Sequence, residues 1–276
     1  MSRAEAFVHP SSTVHPHARL EAGVWVGPRC TIGERVVIGK NTRLDDAIHI
    51  EGGTEIGADC RFSPFSVIGT GPQDVGYKEE ETRLVIGDRN IFREFITVHR
   101  GTLKGGGKTT IGNDNYFMAY SHVAHDCCVG NGTVFINAAT IGGHVLVDDY
   151  AVISAFTSVH QFCRIGKYAY IGGFSVITQD VLPFCRVAGM RPVLFYGLNS
   201  VGLRRRGFSR ERLSVLKEIY KLIFHSDLNT SQAVEKIKTV FPPDEDREEI
   251  LRFIQASTRG IIKKKPRELW ESESEL

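Results

Sequence analysis

The amino-acid sequence predicts a mainly β protein, in which a parallel β-helix of hexapeptide repeats is followed by a small α-helical domain. Every sixth residue from Ile111 to Ile177 is apolar, which fits neither the period of an α-helix nor the alternation of a single strand. Glycine often follows the apolar residue, where a sharp corner leaves little room for a side chain. Three such hexads make one triangular coil of about 18 residues, so the repeated side chains stack inside a prism.

The same six-residue rhythm begins near the N-terminus. Residues 70–85 interrupt it with a polar segment, and residues 100–110 shift its phase across the run Gly105-Gly106-Gly107. We therefore predict about nine coils with two external loops, and loops on a regular solenoid often carry function. The earlier members of the repeat are Val8, Val14, Leu20, Val26, Ile32, Ile38, Leu44, Ile50, Ile56, Phe62, Ile68, Ile86, Phe92 and Val98.

Helical spacing replaces the repeat in the last part of the chain. The prolines Pro183 and Pro192 indicate a connector. Ser209 is a suitable cap for a first helix, Thr230 for a second, and Asp244 opens a third after two prolines. The apolar positions of these helices are Leu213, Leu216, Tyr220, Ile223, Ala233, Ile237, Val240, Ile250, Phe253 and Ile254. We predict a β-helix over 1–198, a helical domain over 199–262 and a charged, frayed tail over 263–276.

Composition narrows the class of protein. A net charge of +2 over 276 residues gives no reason to expect nucleic-acid binding. There is no run of 18 apolar residues, so no membrane span is expected. The segment Met1 to Pro10 lacks the pattern of a secretion signal. Six cysteines without C-x-x-C spacing are read as reduced thiols, so we expect a cytoplasmic protein.

Four histidines collect on one edge of the predicted prism. When the chain is folded at about 18 residues per coil, His125 lies beside His144 of the next coil, and His160 lies one coil further on. His122 shares the first of these coils. Because stacked coils are about 4.8 Å apart, this grouping indicates a functional site, which the adjacent Gly142-Gly143 pair leaves uncovered.

Acyl transfer is the chemistry that these residues suit best. A hydroxyl that attacks a thioester needs a base for its proton and a donor for the developing oxyanion. His125 is of the residue type whose ordinary pKa suits the base, and the N–H of Gly143 is an unobstructed donor. Asp126 could hold the imidazole only from a corner, because neighbouring strand residues point to opposite faces. No Cys/His or Ser/His/Asp pattern is present, which favours direct attack.

Two other classes remain open at this point. Three histidines on adjoining coils could bind zinc with a water in the fourth position, as in a carbonic-anhydrase-like hexapeptide protein. The prism could also be a scaffold on which the histidines are incidental.

A basic cluster lies where the prism meets the helices. It consists of Arg204, Arg205, Arg206, Arg210 and Arg212. The planar fork of arginine suits phosphate recognition, so the cluster indicates a sugar-nucleotide diphosphate or an acidic carrier protein.

At these residues the sequence closely resembles the UDP-N-acetylglucosamine O-acyltransferases of lipid A biosynthesis, from about Ala6 to Ile261. The resemblance rests on F-V-H-P at 7–10, P-Q-D at 72–74, T-R-L-V-I-G-D-R-N at 82–90, V-H-R-G-T at 98–102, H-V-A-H-D-C at 122–127, G-G-H at 142–144, V-H-Q-F-C at 159–163, G-L-N at 197–199 and R-R-G-F-S at 205–209.

The resemblance implies a left-handed β-helix and an enzyme that needs no metal or cofactor. Such an enzyme transfers a (3R)-3-hydroxyacyl group from acyl carrier protein to the 3-hydroxyl of UDP-N-acetylglucosamine. It also implies a homotrimer with active sites in the grooves between subunits. Some relatives acylate a 3-amino analogue of the sugar, giving an amide, and that alternative stays open.

Residue roles follow from the resemblance, position by position. His125 would be the general base, with Asp126 beside it and Gly143 N–H as the oxyanion donor. The residues that would bind substrate are Asp74, His122, His144 and Gln161 for the sugar and the acyl hydroxyl, His160 as support, Asn199, Arg205 and Arg206 for the UDP part, and Gly173 at the position that limits acyl length.

Three departures from the family pattern affect the expected nucleotide contacts. Gly76 stands where well-known members have lysine, Val201 where they have glutamate, and Arg191 where they have histidine. A related N-acyltransferase that acts later in the pathway would carry an extra N-terminal uridine-binding domain. Because the prism starts by Val8, we do not expect that enzyme.

Overall fold

The computed structural model describes residues 5–263, and the predicted tail from residue 264 onward lies outside them. The strands in chain order are β1 (Phe7–Val8), β2 (Thr13–Val14), β3 (Arg19–Leu20), β4 (Trp25–Val26), β5 (Thr31–Ile32), β6 (Val37–Ile38), β7 (Arg43–Leu44), β8 (His49–Ile50), β9 (Thr54–Ile56), β10 (Arg61–Phe62), β11 (Val67–Thr70), β12 (Arg83–Ile86), β13 (Ile91–Phe92), β14 (Thr97–His99), β15 (Lys108–Ile111), β16 (Tyr116–Phe117), β17 (His122–Val123), β18 (Cys128–Val129), β19 (Val134–Phe135), β20 (Thr140–Ile141), β21 (Leu146–Val147), β22 (Val152–Ile153), β23 (Ser158–Val159), β24 (Arg164–Ile165), β25 (Tyr170–Ile171), β26 (Val176–Ile177), β27 (Cys185–Ala188) and β28 (Leu194–Leu198).

Strands β1 to β27 form three parallel sheets that wrap around one core, so the predicted parallel β-helix is confirmed. Sheet A runs β1-β4-β7-β10-β13-β16-β19-β22-β25-β27-β28, sheet B runs from β2 to β26, and sheet C runs from β3 to β24. From β1 to β26, consecutive strands therefore lie on consecutive faces, and each pairs with its equivalent one coil away. For example, Val123 of β17 is in register with Ile141 of β20.

The repeated apolar residues fill the prism. Phe62, Phe92, Phe117 and Phe135 are fully buried and stack along sheet A with ring centroids 4.6–4.7 Å apart. Replacing one of these rings by alanine would cost about 3–5 kcal/mol. The six-residue rhythm in the sequence is thus the rhythm of the core.

The corners of the prism define three edges, which we name A–B, B–C and C–A after the sheets they join. Many corners place a residue in the left-handed region. On the B–C edge the residues in that conformation are Asp126, His144 and Phe162, with φ of 60°, 61° and 65°. Because these three hold equivalent places in successive coils, their side chains stack along that edge, and the ring centroids of His144 and Phe162 are 4.5 Å apart.

Both external loops leave the prism at the B–C edge. The first spans 71–82 between β11 and β12, and the second spans 100–107 between β14 and β15. Each is shorter than the excursion in the sequence, because β12 and β15 extend towards the loops. The second contains one 3₁₀ turn, Leu103–Gly105.

The C-terminal part begins with two strands and a helix that the repeat pattern does not reveal. Strand β27 extends sheet A, and β28 returns antiparallel to it. The helices are α1 (Ser200–Arg205), α2 (Arg210–Phe224), α3 (Thr230–Val240) and α4 (Glu245–Gln255).

The caps of these helices mostly agree with the sequence analysis. Ser209 and Asp244 cap α2 and α4 as expected. Asn229, one residue before the expected Thr230, caps α3, because its side chain forms a reciprocal capping box with Gln232. No helix within residues 5–263 is long and apolar enough to cross a membrane.

Candidate active site

The B–C edge brings together most of the histidines and the glycine that the sequence singles out. His125, Gly143, His144, His160 and Gln161 lie at corners of three successive coils there, because each follows a strand of sheet B. The two external loops cover the same edge. Residues distant in the sequence therefore meet along one side of the prism.

His125 and Asp126 form a hydrogen-bonded pair. Nδ1–H of His125 donates to Oδ2 of Asp126 at 2.7 Å. The Asp126 side chain is fully buried, and that of His125 is 12% exposed. The left-handed φ of Asp126 turns its carboxylate back to its own neighbour, as a regular strand could not. Since the carboxylate accepts, the neutral form of the ring has its proton on Nδ1 and its lone pair on Nε2.

Two further hydrogen bonds hold the Asp126 carboxylate in place. The backbone N–H of Thr102 donates to Oδ1 at 2.7 Å, and its hydroxyl donates to Oδ2 at 2.7 Å. Gly105 packs so closely that a β-carbon on it would lie 2.0 Å from Asp126 Cγ. The second loop therefore fixes the orientation of the histidine through Asp126. The motif V-H-R-G-T ends in Thr102, but the sequence gives no sign of this partner.

Gly143 lies under the His125 ring. A β-carbon on Gly143 would lie 2.6 Å from Cε1 and 2.7 Å from Nε2 of His125, so only glycine allows this approach. Within residues 5–263, the Gly143 N–H donates to no protein acceptor. The Gly143 N–H, which has no protein acceptor, and Nε2 of His125 therefore lie next to each other.

His122 and the buried His99 form a second histidine pair beside the first, with ring centroids 5.2 Å apart. Burial and the nearby His99 and His125 rings lower the pKa of His122 to about 4. Burial also lowers the pKa of His99. Its Nδ1–H donates to the Gly71 carbonyl at 2.7 Å, where the first loop leaves the prism. Both rings are therefore neutral at neutral pH, and His99, which the sequence analysis did not single out, ties that loop to the site.

The other residues of this edge that are expected to bind substrate lie around the His125–Asp126 pair. Nε2 of His144 is 3.6 Å from Oδ2 of Asp126. His160 and Gln161 are exposed at the next corner. Asp74 lies in the first loop, where Oδ1 accepts from the N–H of Gly76 at 2.8 Å.

The remaining expected residues lie elsewhere on the prism. Gly173 is exposed at the A–B edge, between β25 and β26. Asn199 adjoins the C–A edge, where it caps α1 by accepting from the N–H of Gly202 at 3.2 Å and donates to the Tyr168 carbonyl at 3.0 Å. One chain does not bring these residues to His125.

The arginines of the basic cluster have different surroundings in the structure. Arg212 forms a two-pronged ion pair with Asp246, at 2.6 and 2.7 Å, so it joins α2 to α4. Arg206 lies 4.4 Å over the Tyr150 ring at the C–A edge. Arg205 is exposed, and its side chain makes no hydrogen bond or ion pair with the residues that the structure describes.

His125, Asp126 and His144 also offer ligand atoms within 4.8 Å of one another. Two donors on one tetrahedral zinc would be about 3.3 Å apart, given bond lengths of about 2.0–2.1 Å. The 2.7 Å contact between His125 and Asp126 is instead a hydrogen bond, and Thr102 donates to both carboxylate oxygens. The geometry favours a base and its carboxylate partner over a ligand set.

Comparisons with known proteins define the class of the fold and of this site. A hexapeptide family described as "Bacterial transferase hexapeptide (six repeats)" matches residues 35–70. A second family, described as "Udp N-acetylglucosamine O-acyltransferase; Domain 2", matches residues 180–262. The chain is thus a left-handed β-helix acyltransferase of the hexapeptide-repeat class.

Full-length relatives narrow this to one family. An acyl-[acyl-carrier-protein]–UDP-N-acetylglucosamine O-acyltransferase of Thermodesulfovibrio yellowstonii is 47% identical over 256 residues, which cover 93% of this chain and 99% of the relative. The solved UDP-N-acetylglucosamine acyltransferase of Francisella novicida superimposes with a TM-score of 0.91 at 38% identity, over 93% of this chain and 94% of that one. That of Bacteroides fragilis also gives 0.91, at 39% identity over 93% and 100%. The chain belongs to the UDP-N-acetylglucosamine O-acyltransferase family.

Proposed function

We propose that the protein transfers a (3R)-3-hydroxyacyl group from acyl carrier protein to the 3-hydroxyl of UDP-N-acetylglucosamine, the first step of lipid A biosynthesis. The observation that carries this proposal is the His125–Asp126 pair placed over a free Gly143 N–H. In a chain of this family, that arrangement supplies the base and the oxyanion donor that direct acyl transfer needs.

The reaction follows from the two ring nitrogens of His125. Nε2 takes the proton of the sugar hydroxyl while the hydroxyl oxygen bonds to the thioester carbon. The carbonyl oxygen becomes negative and accepts from the Gly143 N–H. When the carbonyl re-forms, the C–S bond breaks, and the imidazolium returns its proton to the leaving thiolate. Asp126 is the counter-charge that stabilises the imidazolium between these steps.

The substrate lies, in this proposal, along the B–C edge. Asp74, His122, His144 and Gln161 hold the sugar and the acyl hydroxyl, and His160 supports them. The neutral state of His122, which follows from its pKa of about 4, suits a hydrogen bond to a sugar hydroxyl better than contact with an anion.

The nucleotide part needs residues that one chain does not supply at this edge. Asn199, Arg205 and Arg206 adjoin the C–A edge, and Gly173 lies on the A–B edge. A ligand that touches His125 and any of these must therefore lie between two chains. This division supports a homotrimer with the groove between neighbouring subunits.

An exposed aromatic row on the A–B edge also supports the trimer. Phe65, Phe95 and Tyr120 stack along one stretch of the edge, and Phe156 and Phe174 along another. These five residues are 43–66% exposed in the single chain. Apolar surface arranged in this way is typical of an interface.

A cytoplasmic location and a reaction without a cofactor are also part of the proposal. All six cysteines are free thiols, and five of them are buried, which suits the reducing cytoplasm. The proposed chemistry uses protein groups alone and calls for no metal or cofactor. A carbonic-anhydrase-like zinc protein is the alternative of another class.

A coupled assay tests the proposal. Purified 3-hydroxyacyl carrier protein is supplied with UDP-N-acetylglucosamine or with its 3-amino analogue as acceptor. The proposal expects release of free carrier thiol and an ester product with UDP-N-acetylglucosamine. Preference for the 3-amino sugar would make the product an amide, and no release with either acceptor would refute the proposal.

A further inference from the structure

Lys104 of the second loop reaches the first loop at Gly76. A β-carbon built on Gly76 would lie 3.6 Å from Nζ of Lys104 and 3.4 Å from Oδ1 of Asp74. The ammonium and the carboxylate thus flank the space above Gly76. Within residues 5–263, Lys104 makes no hydrogen bond or ion pair, so its ammonium is exposed beside the proposed sugar site without a protein partner.

The turn that carries Lys104 is fixed to the catalytic pair. Lys104 is the central residue of the 3₁₀ turn Leu103–Gly105, and Thr102 caps that turn by accepting from the N–H of Gly105 at 3.1 Å. Thr102 also donates twice to Asp126. The base of the Lys104 side chain therefore has a set position relative to His125.

Hydrogen bonds also fix the first loop on the other side of the space above Gly76. Asp74 accepts from the Gly76 N–H at 2.8 Å. The guanidinium of Arg100 donates to the Tyr77 hydroxyl at 3.0 and 3.1 Å and to the Gly69 carbonyl at 3.1 Å. Because Arg100 begins the second loop and Tyr77 belongs to the first, the two loops are joined where Lys104 faces Gly76.

We propose that Lys104 binds the diphosphate of the sugar nucleotide, supplying from the second loop the positive charge that Gly76 lacks. This inference rests on the proposed function, because it assumes that a sugar nucleotide occupies the B–C edge. An ammonium has three donors and no acceptor, so it needs oxygen partners. An exposed ammonium that forms no ion pair with the described residues suits an anionic oxygen.

The geometry also predicts that a lysine at position 76 can supply the positive charge in place of Lys104. Gly76 has no left-handed φ, and its nearest neighbours would be at ordinary van der Waals distance from a β-carbon. A lysine at position 76 therefore fits without strain, and its ammonium can take the place of a missing Lys104.

Binding of UDP and of UDP-N-acetylglucosamine by calorimetry tests the inference on the full-length protein. The Lys104→Gln variant should weaken the binding of both ligands about 10- to 150-fold, the range for loss of a hydrogen bond to a charged group. Lys104→Arg should stay within about threefold of the parent, because it keeps the charge. The double variant Lys104→Gln/Gly76→Lys should recover most of the loss.

The matched control is Lys78→Gln, which removes an exposed lysine from the first loop and should leave both affinities unchanged. In steady-state kinetics, Lys104→Gln should raise the KM for UDP-N-acetylglucosamine more than it lowers kcat, because a diphosphate contact binds the ground state and the transition state alike. If the parent transfers acyl groups and Lys104→Gln binds UDP as the parent does, the inference is wrong and the proposed function stands. If the parent binds neither ligand and transfers nothing, both fall together.

Discussion

The imidazole of His125 covers the backbone of Gly143, one coil further along the prism, so closely that a β-carbon on Gly143 would lie 2.6 Å from the ring. The proposed base and the proposed oxyanion donor are therefore adjacent because the coils are stacked. The six-residue repeat that builds the core also sets the distance between His125 and Gly143.

Gly143→Ala should push the His125 ring off its position. We expect kcat to fall about 10²–10³-fold, comparable with the loss of an oxyanion donor. Gly143 has no left-handed φ, so the fold should remain, and circular dichroism with a thermal melt checks this. An alanine variant with the turnover of the parent would contradict the proposed arrangement.

Arg205→Ala should raise the KM for the sugar nucleotide more than it lowers kcat, because diphosphate contacts bind the ground state and the transition state alike. Steady-state kinetics with varied UDP-N-acetylglucosamine measures both constants. Arg210→Ala removes another exposed arginine and is the control. An unchanged KM in the Arg205 variant would assign this arginine to carrier-protein docking or to structure.

Gly173→Met should shift preference towards shorter acyl chains. Gly173 is exposed, and a β-carbon on it would meet only the Ala155 carbonyl, at 3.3 Å. The proposed groove therefore has room for acyl chain beside Gly173, and the parent should prefer longer chains. The methionine would exclude several methylenes at about 0.8 kcal/mol each. Rates with carrier-protein substrates of graded length decide it, and an identical ranking in both proteins would show that Gly173 does not set the length.

The stability of the protein should fall as pH decreases from about 6.5 towards 4. The pKa of His122 is lowered to about 4 in the folded protein, against about 6.5 in an unfolded chain. Between these values the unfolded state binds more protons, so the neutral ring stabilises the fold above pH 6.5 and that contribution is lost as pH falls through 4. From pH 7 to pH 5 the loss is about 2 kcal/mol.

Thermal melts at fixed protein concentration check this pH dependence. His122→Gln should lose less stability than the parent between pH 7 and pH 5, because glutamine does not titrate. The control His160→Gln, at an exposed histidine, should behave as the parent. Equal losses in the parent and the His122 variant would mean that His122 is not the titrating group.

The fold could be predicted from the sequence because the core is periodic. The residues of the candidate site could be predicted only in part. Counting hexads in threes from Ile68 and Val98 would also have placed both loops on the edge of His125. The support that Thr102 gives Asp126 depends on how a loop folds back, which no local pattern records. The pairing of Arg212 with Asp246, far along the chain, likewise removed an arginine from the expected phosphate cluster.

The last connector was missed for a different reason. Strand β28 and the six-residue helix α1 are short and aperiodic, so neither has a recognisable sequence pattern. Asn199 was singled out through the resemblance, and in the structure it caps that helix. A residue expected to bind nucleotide thus also has a structural role, which composition and spacing could not reveal.

The most direct test of the account is the turnover of His125→Ala in the coupled assay with UDP-N-acetylglucosamine. Turnover should fall about 10²–10⁴-fold, the usual contribution of a positioned base. The oligomeric mass of the parent should be retained, because the side chain lies at a corner of the prism and not in its core. A variant that turns over at the rate of the parent would contradict it. So would a parent enzyme that holds stoichiometric zinc and loses its activity to a chelator.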